Sequence, residues 1–230
     1  MTDGLDEILR ESCHLMARRG FHGTSMRDLA QETGRSLSGL YHYFRSKEDL
    51  LFLINFYGFT TLNDAWTRLI HAFESPYEKL YAFIYFHTGY FVEHMDEMRV
   101  MTWGTQALSL EKARVIQKLK DRYTGDARGI VQDVYRTGSG CDMPERRLQR
   151  ETYLLFGMMN WMFSWYSPQD HGGVGDLAQD IYRTFVSGIS GNGHGEIDTD
   201  RMNAAVGKSF HENKTESMWA TVEEPDRQEN

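Results

Sequence analysis

The amino-acid sequence predicts an all-α fold. Apolar residues recur at helical spacing along most of the 230 residues, and alternating strand patterns are essentially absent. None of the four prolines breaks a long periodic segment. Hydrophobic residues make up 40% of the chain and aromatic residues 13%, which excludes a wholly disordered protein. The sequence therefore predicts helices packed around at least one core.

Four helices are predicted in the first part of the sequence. The first spans 3–19 and breaks at Gly20, and the second begins at Thr24 as its N-cap and ends at Gly34. After a very short turn, Ser36 caps the third helix. Its inward face is predicted to consist of Leu37, Leu40, Tyr41 and Phe44. A capping box of Ser46 and Asp49 starts the fourth.

Two short helices joined by a tight glycine turn, after a longer helix, predict a helix-turn-helix. The outward residues of the third helix would then be Arg35, Ser38, Gly39, His42 and Tyr43. Small and hydroxylic side chains let the backbone approach a phosphate or a base edge, and an arginine can reach a guanine edge. From residue 24 to 47, four basic residues against two acidic ones leave a local excess of +2, so the whole-chain charge of -8 does not argue against DNA binding. The alternative is an ordinary three-helix unit with a solvated polar face.

The residues that carry this pattern resemble a known family, the TetR-type transcriptional repressors. Residues 23–30 look like the family's second helix, and 34–36 with 40–50 look like its recognition helix and the start of its fourth. The resemblance implies phosphate contacts by Thr24, Ser25, Tyr41, His42 and Lys47. It also implies that five residues lie nearest the DNA bases: Arg35, Ser36, Leu37, Ser38 and Gly39. Because Arg35 and Ser38 depart from the residues usual in the family, the resemblance does not imply an operator sequence.

The later part of the chain is predicted to hold five further helices. The first begins at Pro76, and the other four cover 96–108, 110–137, 145–165 and 176–189. A break at Gly125 is possible in the helix 110–137. From residue 191 the periodicity fades, and nine acidic residues against four basic ones favour a mobile acidic tail to residue 230. The predicted domains are therefore 1–47 for DNA binding, 48–190 for ligand binding and dimerisation, and the tail 191–230.

In the predicted helix 145–165, the apolar residues from Leu154 onward surround the whole circumference. Such a helix is buried by its own domain on one side and by another partner on a second side. A two-fold homodimer through 145–165 and 176–189, as a four-helix interface, satisfies both requirements. Two recognition helices about one turn of DNA apart would read a palindrome.

Aromatic and methionine side chains predict an apolar ligand cavity with a few polar groups. The candidate lining residues are Phe83, His87, Phe91, Met98, Met101, Trp103, Phe156, Asn160, Trp161 and Trp165. Simple core or dimer packing is the alternative for each. Residues 155–168 also resemble a segment of TetR regulators of fatty-acid or steroid-ring degradation that respond to acyl-CoA thioesters. That resemblance implies an acyl-CoA effector, whose phosphates the basic residues of 110–137 can meet.

Composition and motifs exclude several other classes of protein. Two cysteines, Cys13 and Cys141, are too few and too far apart for a disulfide framework or a thiolate metal cage, which favours a reducing compartment. No secretory signal, membrane span, Walker-type loop or nucleophile elbow is found in the sequence. We expect a cytoplasmic protein with no metal, no other cofactor and no enzymatic activity.

These observations favour a homodimeric repressor that binds a palindromic operator and releases it when a small apolar or acyl-CoA effector binds. One alternative is a TetR-type regulator of a different hydrophobic ligand, such as a drug or an aromatic compound. The other is a helical enzyme or metal-binding protein that uses His87 and His94, which are seven residues apart on one face.

Overall fold

The computed structural model describes residues 3–190 and 198–214, and every regular element in this part of the chain is helical. The α-helices are α1 (Asp3–Arg19), α2 (Met26–Glu32), α3 (Leu37–Tyr43), α4 (Lys47–Ile70), α5 (Pro76–Glu93), α6 (Met95–Trp103), α7 (Leu110–Ser139), α8 (Glu145–Asn160), α9 (Pro168–His171), α10 (Val174–Ser190) and α11 (Thr199–Lys214). Two 3₁₀ turns, Gly104–Ala107 and Trp161–Ser164, follow α6 and α8. The all-α prediction is confirmed. No helix among the described residues is long and apolar enough to cross a membrane.

The described residues form two compact units. Unit 1 comprises 3–62 and 96–119, and unit 2 comprises 63–95, 120–190 and 198–214. The boundaries between the units fall within α4, α6 and α7, so these three helices contribute residues to both.

Unit 1 contains the three consecutive helices α1, α2 and α3, of which α2 packs against both others. Their shared core includes Ile8, Leu29, Leu40 and Phe44, all almost completely buried. Because α2 and α3 have seven residues each, they gain little from their own backbone bonds and depend on this burial.

Two details of unit 1 differ from the prediction. The N-cap of α2 is Ser25, not Thr24: the Ser25 hydroxyl accepts from the Asp28 backbone N–H, and the Asp28 carboxylate accepts from the Ser25 N–H, which completes a capping box. Thr24 is buried instead. Tyr41 is predicted to face inward but is 50% exposed, because Leu40 is the one residue of α3 that packs fully into the core.

Unit 2 is built around α5, which packs against α8, α10 and α11. As predicted, Pro76 is the first residue of α5, where its missing N–H costs no helical bond. Between Leu80 and Phe91 nearly every side chain is buried. The long helix α7 runs without a break at Gly125, since a single glycine lowers helix stability only modestly.

The predicted helix 145–165 is shorter in the structure. The α-helix ends at Asn160, and the chain tightens into the 3₁₀ turn Trp161–Ser164. Leu155 and Met159 are buried, whereas Tyr153 and Leu154 are exposed, so one apolar face remains uncovered in the single chain.

The expected mobile tail needs a correction between residues 199 and 214. Here the chain forms α11, which packs against α5 through the fully buried Met202 and Val206. The Tyr81 hydroxyl donates to Asn203 Oδ1 at 2.7 Å, and Arg201 pairs with Glu78. Two buried apolar residues one turn apart are enough to hold a short helix on a neighbour. The rest of the predicted tail, 191–197 and 215–230, lies outside the described residues.

Candidate functional site

The helix-turn-helix of unit 1 is set by its turn between α2 and α3. Gly34 adopts a φ of +62°, a left-handed conformation that glycine adopts at no steric cost. Ser36 then caps α3 as predicted, since its hydroxyl accepts from the Gly39 N–H at 3.0 Å. The turn and the cap together fix the direction in which α3 leaves α2.

The residues predicted to lie nearest the bases form the start of α3. Arg35, Ser36 and Ser38 are exposed, and Leu37 and Gly39 are half-buried. The Ser36 and Ser38 hydroxyls lie 3.1 Å apart. The Arg35 guanidinium lies 3.2 Å from the Glu7 carboxylate on α1, so this side chain must leave Glu7 before it can contact a base edge.

The five predicted phosphate contacts divide into two groups. Ser25, Tyr41 and His42 are exposed and free of the core. Thr24 is buried, and its hydroxyl donates to the Gly20 carbonyl at 2.9 Å. This side chain therefore stabilises the turn between α1 and α2.

Lys47, like Thr24, makes its hydrogen bonds within the protein. Its ammonium donates to the carbonyls of Phe21 and Thr24 at 2.5 and 2.6 Å, and it lies 4.1 Å from the centroid of the Phe21 ring. Partial burial lowers the pKa of this ammonium, while the nearby Asp28 carboxylate acts in the opposite direction. Lys47 therefore ties the first residue of α4 to the turn that precedes α2.

A second candidate site lies in unit 2, where four other predicted ligand residues surround His87. The His87 ring lies within 4.7 to 6.2 Å, between ring centroids, of Phe83, Phe91 and Phe156. Its Nε2 lies 3.0 Å from Asn160 Oδ1, so the fifth predicted residue joins the same group. We call these residues, with Tyr123, the His87 cluster.

Burial keeps His87 neutral, against the hydrogen bond to Asn160, which by itself raises the pKa of this side chain. Its Nε2–H donates to Asn160 Oδ1, and the Tyr123 hydroxyl, 3.2 Å away, donates to Nδ1. Burial lowers the pKa of His87 to about 4, because the surrounding rings cannot solvate an imidazolium. With both ring nitrogens bonded to protein oxygens, His87 has no lone pair left for a metal ion. No group of three or more His, Cys, Asp or Glu side chains is placed to hold a metal among the described residues.

The other predicted ligand residues lie elsewhere. Met98 and Met101 are buried in unit 1, where Met101 packs against Gly58 of α4. Trp161 and Trp165 are 62% and 44% exposed, because the change from α-helix to 3₁₀ turn after Asn160 directs them to the surface. The side chain of Trp103 lies outside the described residues.

Sequence reasoning missed two members of this site. Tyr123 falls on the charged helix α7, but it lies at seven-residue spacing from the buried Ile116 and Ile130, a periodicity that marks the inward face. Trp66 of α4 is fully buried with its ring centroid 5.0 Å from that of Phe83. Its indole N–H has no acceptor among the described residues. No local pattern distinguished Trp66 from ordinary core.

Comparison with known proteins agrees with this architecture. Residues 8–54 match the family description "Bacterial regulatory proteins, tetR family", and residues 74–189 match "Tetracyclin repressor-like, C-terminal domain". The HTH-type transcriptional repressor KstR2 of Mycolicibacterium smegmatis is 32% identical over 75 residues, which are 33% of this chain and 37% of that protein. The alignment thus spans well under half of this curated relative.

Two solved structures are also similar. The TetR family regulator PfmR from Thermus thermophilus is 28% identical, with a TM-score of 0.69 over 78% of this chain and 96% of its own. AibR, solved in complex with isovaleryl coenzyme A and operator DNA, is 22% identical, with a TM-score of 0.70 over 79% of this chain and 97% of its own. The second likeness shows the fold alone. The first description covers the helix-turn-helix, and the second, over residues 74–189, covers half of the whole chain. This protein therefore belongs to the TetR family of bacterial transcriptional regulators.

Proposed function

We propose that this protein is a homodimeric repressor that binds a palindromic operator and releases it when a small apolar or acyl-CoA effector binds. Residues 1–47 would read the DNA, and 48–190 would bind the effector and form the dimer. The observation that carries the proposal is the capped α3, which presents Ser36, Ser38, Tyr41 and His42 to solvent beside a rigid turn.

The DNA side of the proposal follows from what these groups can reach. Backbone N–H groups at the start of α3 and the hydroxyls of Ser36 and Ser38 suit phosphate oxygens and base edges. Tyr41 and His42, one turn later, suit the sugar-phosphate backbone. The internal bonds of Thr24 and Lys47 would hold the turn in place during these contacts.

The effector side rests on the His87 cluster. Its rings provide an apolar environment, and the Trp66 indole N–H is a buried donor with no acceptor among the residues described, a feature that calls for an explanation in a native core. A carbonyl oxygen of a bound acyl or aromatic compound would satisfy it. AibR offers a precedent for an acyl-CoA ligand in this fold.

Trp66 also supplies a route from effector to DNA. It lies on α4, whose first residue, Lys47, is bonded to the turn before α2. An effector that moves Trp66 would therefore act on a helix that begins at the DNA-reading unit. A coupling free energy of about 1 to 3 kcal/mol is sufficient for typical control.

The homodimer is supported by the exposed apolar face of α8 and the turn after it. Tyr153, Leu154, Trp161 and Trp165 are large hydrophobic side chains left at the surface of unit 2. Exposed groups of this kind mark association surfaces. An aromatic compound in place of an acyl-CoA is the second candidate effector, favoured by the number of rings around His87.

The DNA assignment is tested by Tyr41→Ala. We expect this variant to bind DNA from its own upstream region at least about fivefold more weakly than the wild type, since one stacking or phosphate contact per protomer is lost. Tyr77→Ala, a tyrosine change in unit 2, is the matched control. Both should keep the wild-type circular-dichroism spectrum. Unchanged DNA affinity of a folded Tyr41→Ala would show that α3 does not read DNA as proposed.

A further inference from the structure

Unit 1 contains a cleft that the proposed function does not use. It has a volume of about 470 Å³ and lies between the end of α1 with the turn after it, the start of α4, the middle of α6 and the 3₁₀ turn that follows α6. This volume is within the range of small-molecule sites in proteins. The cleft is separate from the His87 cluster, all of whose members belong to unit 2.

The lining of the cleft is amphipathic. Its apolar part comprises Met16, Leu51 and Val100, each buried in the core of unit 1. Its polar part comprises three arginines, Arg18, Arg19 and Arg99, together with His22 and Gln106. No carboxylate lines the cleft among the described residues.

Each guanidinium is held from outside the cleft by one carboxylate. Arg18 pairs with Glu32, Arg19 Nη1 lies 3.5 Å from Asp28, and Arg99 Nη1 lies 4.0 Å from Asp96. An arginine has five N–H donors, and a single carboxylate contact leaves most of them available. These pairs therefore orient the guanidinium groups without satisfying them.

We propose that this cleft binds a phosphorylated nucleoside. The guanidinium groups would bind phosphate oxygens, for which their forked donors are well suited, and the apolar part would receive the base. Either a free nucleotide or the nucleotide end of coenzyme A has this chemistry. The second source rests on the proposed acyl-CoA effector, whereas the first does not.

The position of the cleft gives binding a consequence for DNA. Arg18 and Arg19 are the last residues of α1, and their carboxylate partners Glu32 and Asp28 both lie on α2. A phosphate that draws these arginines toward the cleft would weaken their pairs with α2. The ligand would thus compete directly with contacts that position the helix-turn-helix.

The test is calorimetric titration of the wild-type protein with adenosine 3′,5′-bisphosphate, the nucleotide end of coenzyme A, and with AMP, ATP and inorganic phosphate. Arg99→Met should weaken nucleotide binding about tenfold, the loss expected for a charge-assisted contact. Ala107→Trp, which fills the cleft without a change of charge, should abolish it. Arg114→Met, an exposed arginine of α7 outside the cleft, should bind as the wild type does.

The outcomes separate this proposal from the proposed effector. If an acyl-CoA displaces the bound bisphosphate, the cleft holds the nucleotide end of coenzyme A. If nucleotide binds and no acyl-CoA displaces it, the occupant is a free nucleotide. If nucleotide binds but no thioester releases DNA, the cleft proposal stands and the acyl-CoA effector is wrong. If no nucleotide binds at millimolar concentration, or if both cleft variants bind like the wild type while correctly folded, the cleft proposal is wrong, whatever the thioesters do.

Discussion

At the scale of single residues, Lys47 has a structural role that its place in the family pattern did not indicate. Its ammonium satisfies two carbonyls of the turn before α2 and lies over the Phe21 ring. Lys47→Met should therefore lower the free energy of unfolding by about 2 kcal/mol, because both carbonyls lose a charged donor.

Thermal or urea unfolding of Lys47→Met measures this effect, with the exposed neighbour Arg45→Met as the control. The control should unfold like the wild type. If Lys47 only contacted phosphate, both variants would keep wild-type stability and Lys47→Met would lose DNA affinity alone.

His87 predicts a pH dependence of stability. Its pKa in the folded protein is about 4, below the value near 6.5 of an unfolded histidine. Between these values the unfolded chain binds a proton that the native protein does not. The contribution of neutral His87 to the free energy of unfolding is therefore complete above about pH 6.5 and is lost as the pH falls toward 4. The free energy of unfolding should change by up to about 1.4 kcal/mol per pH unit in this window.

Urea unfolding at pH 7, 6 and 5 measures that slope. His87→Leu should flatten it, whereas His71→Gln, at an exposed position of the same unit, should not. The remaining slope of His87→Leu should reflect His94, whose pKa burial also lowers to about 4. An unchanged slope in His87→Leu would mean that the pKa of His87 is the same in the folded and the unfolded protein, which would contradict its burial among the rings.

At the scale of elements, the uncovered face of α8 predicts an association surface. Trp161→Glu places a charge in the middle of this apolar group and should raise the dissociation constant of the dimer at least about thirtyfold. Leu110→Glu is the control, since Leu110 is 70% exposed but lies on α7 in unit 1. Sedimentation of the two variants, at protein concentrations around the wild-type dissociation constant, separates them. Equal behaviour of the variants would remove this face from the dimer.

Helix periodicity was sufficient to predict most elements, because each buries one continuous stripe. The positions of α1 to α5 followed from caps, Pro76 and glycine breaks that act within a few residues. The sequence was less informative where tertiary contacts decide. The helix α11 depends on two buried side chains that pack against α5, far earlier in the chain, and the end of α8 at Asn160 lies within an unbroken apolar run.

The candidate sites were predictable to a different extent. Local motifs identified the residues of α3, whose exposure follows from the helix itself. They did not identify the partner of Arg35 or the internal role of Lys47. They also missed Tyr123 in the His87 cluster and Trp66 beside it, since these positions depend on side chains from distant helices. The hydrophobic patterns of Trp161 and Trp165 fitted a cavity and a surface equally well.

At the scale of the whole molecule, the proposed function assigns DNA reading to unit 1 and effector binding to unit 2 of this TetR family regulator. In this proposal the effector acts on DNA binding through α4, which carries Lys47 in one unit and Trp66 in the other. An effector can lower the DNA affinity only to the extent that it binds the conformation that releases DNA more tightly than the conformation that binds DNA.

The most direct test is titration of the purified protein on DNA from its own upstream region, at fixed salt, with and without a panel of acyl-CoA thioesters and their free acids. The expected result is salt-sensitive binding that one class of thioester reverses and the corresponding acid does not. Binding that no thioester disturbs would contradict the proposed acyl-CoA effector. Absence of salt-sensitive DNA binding would contradict the proposed operator-binding function itself.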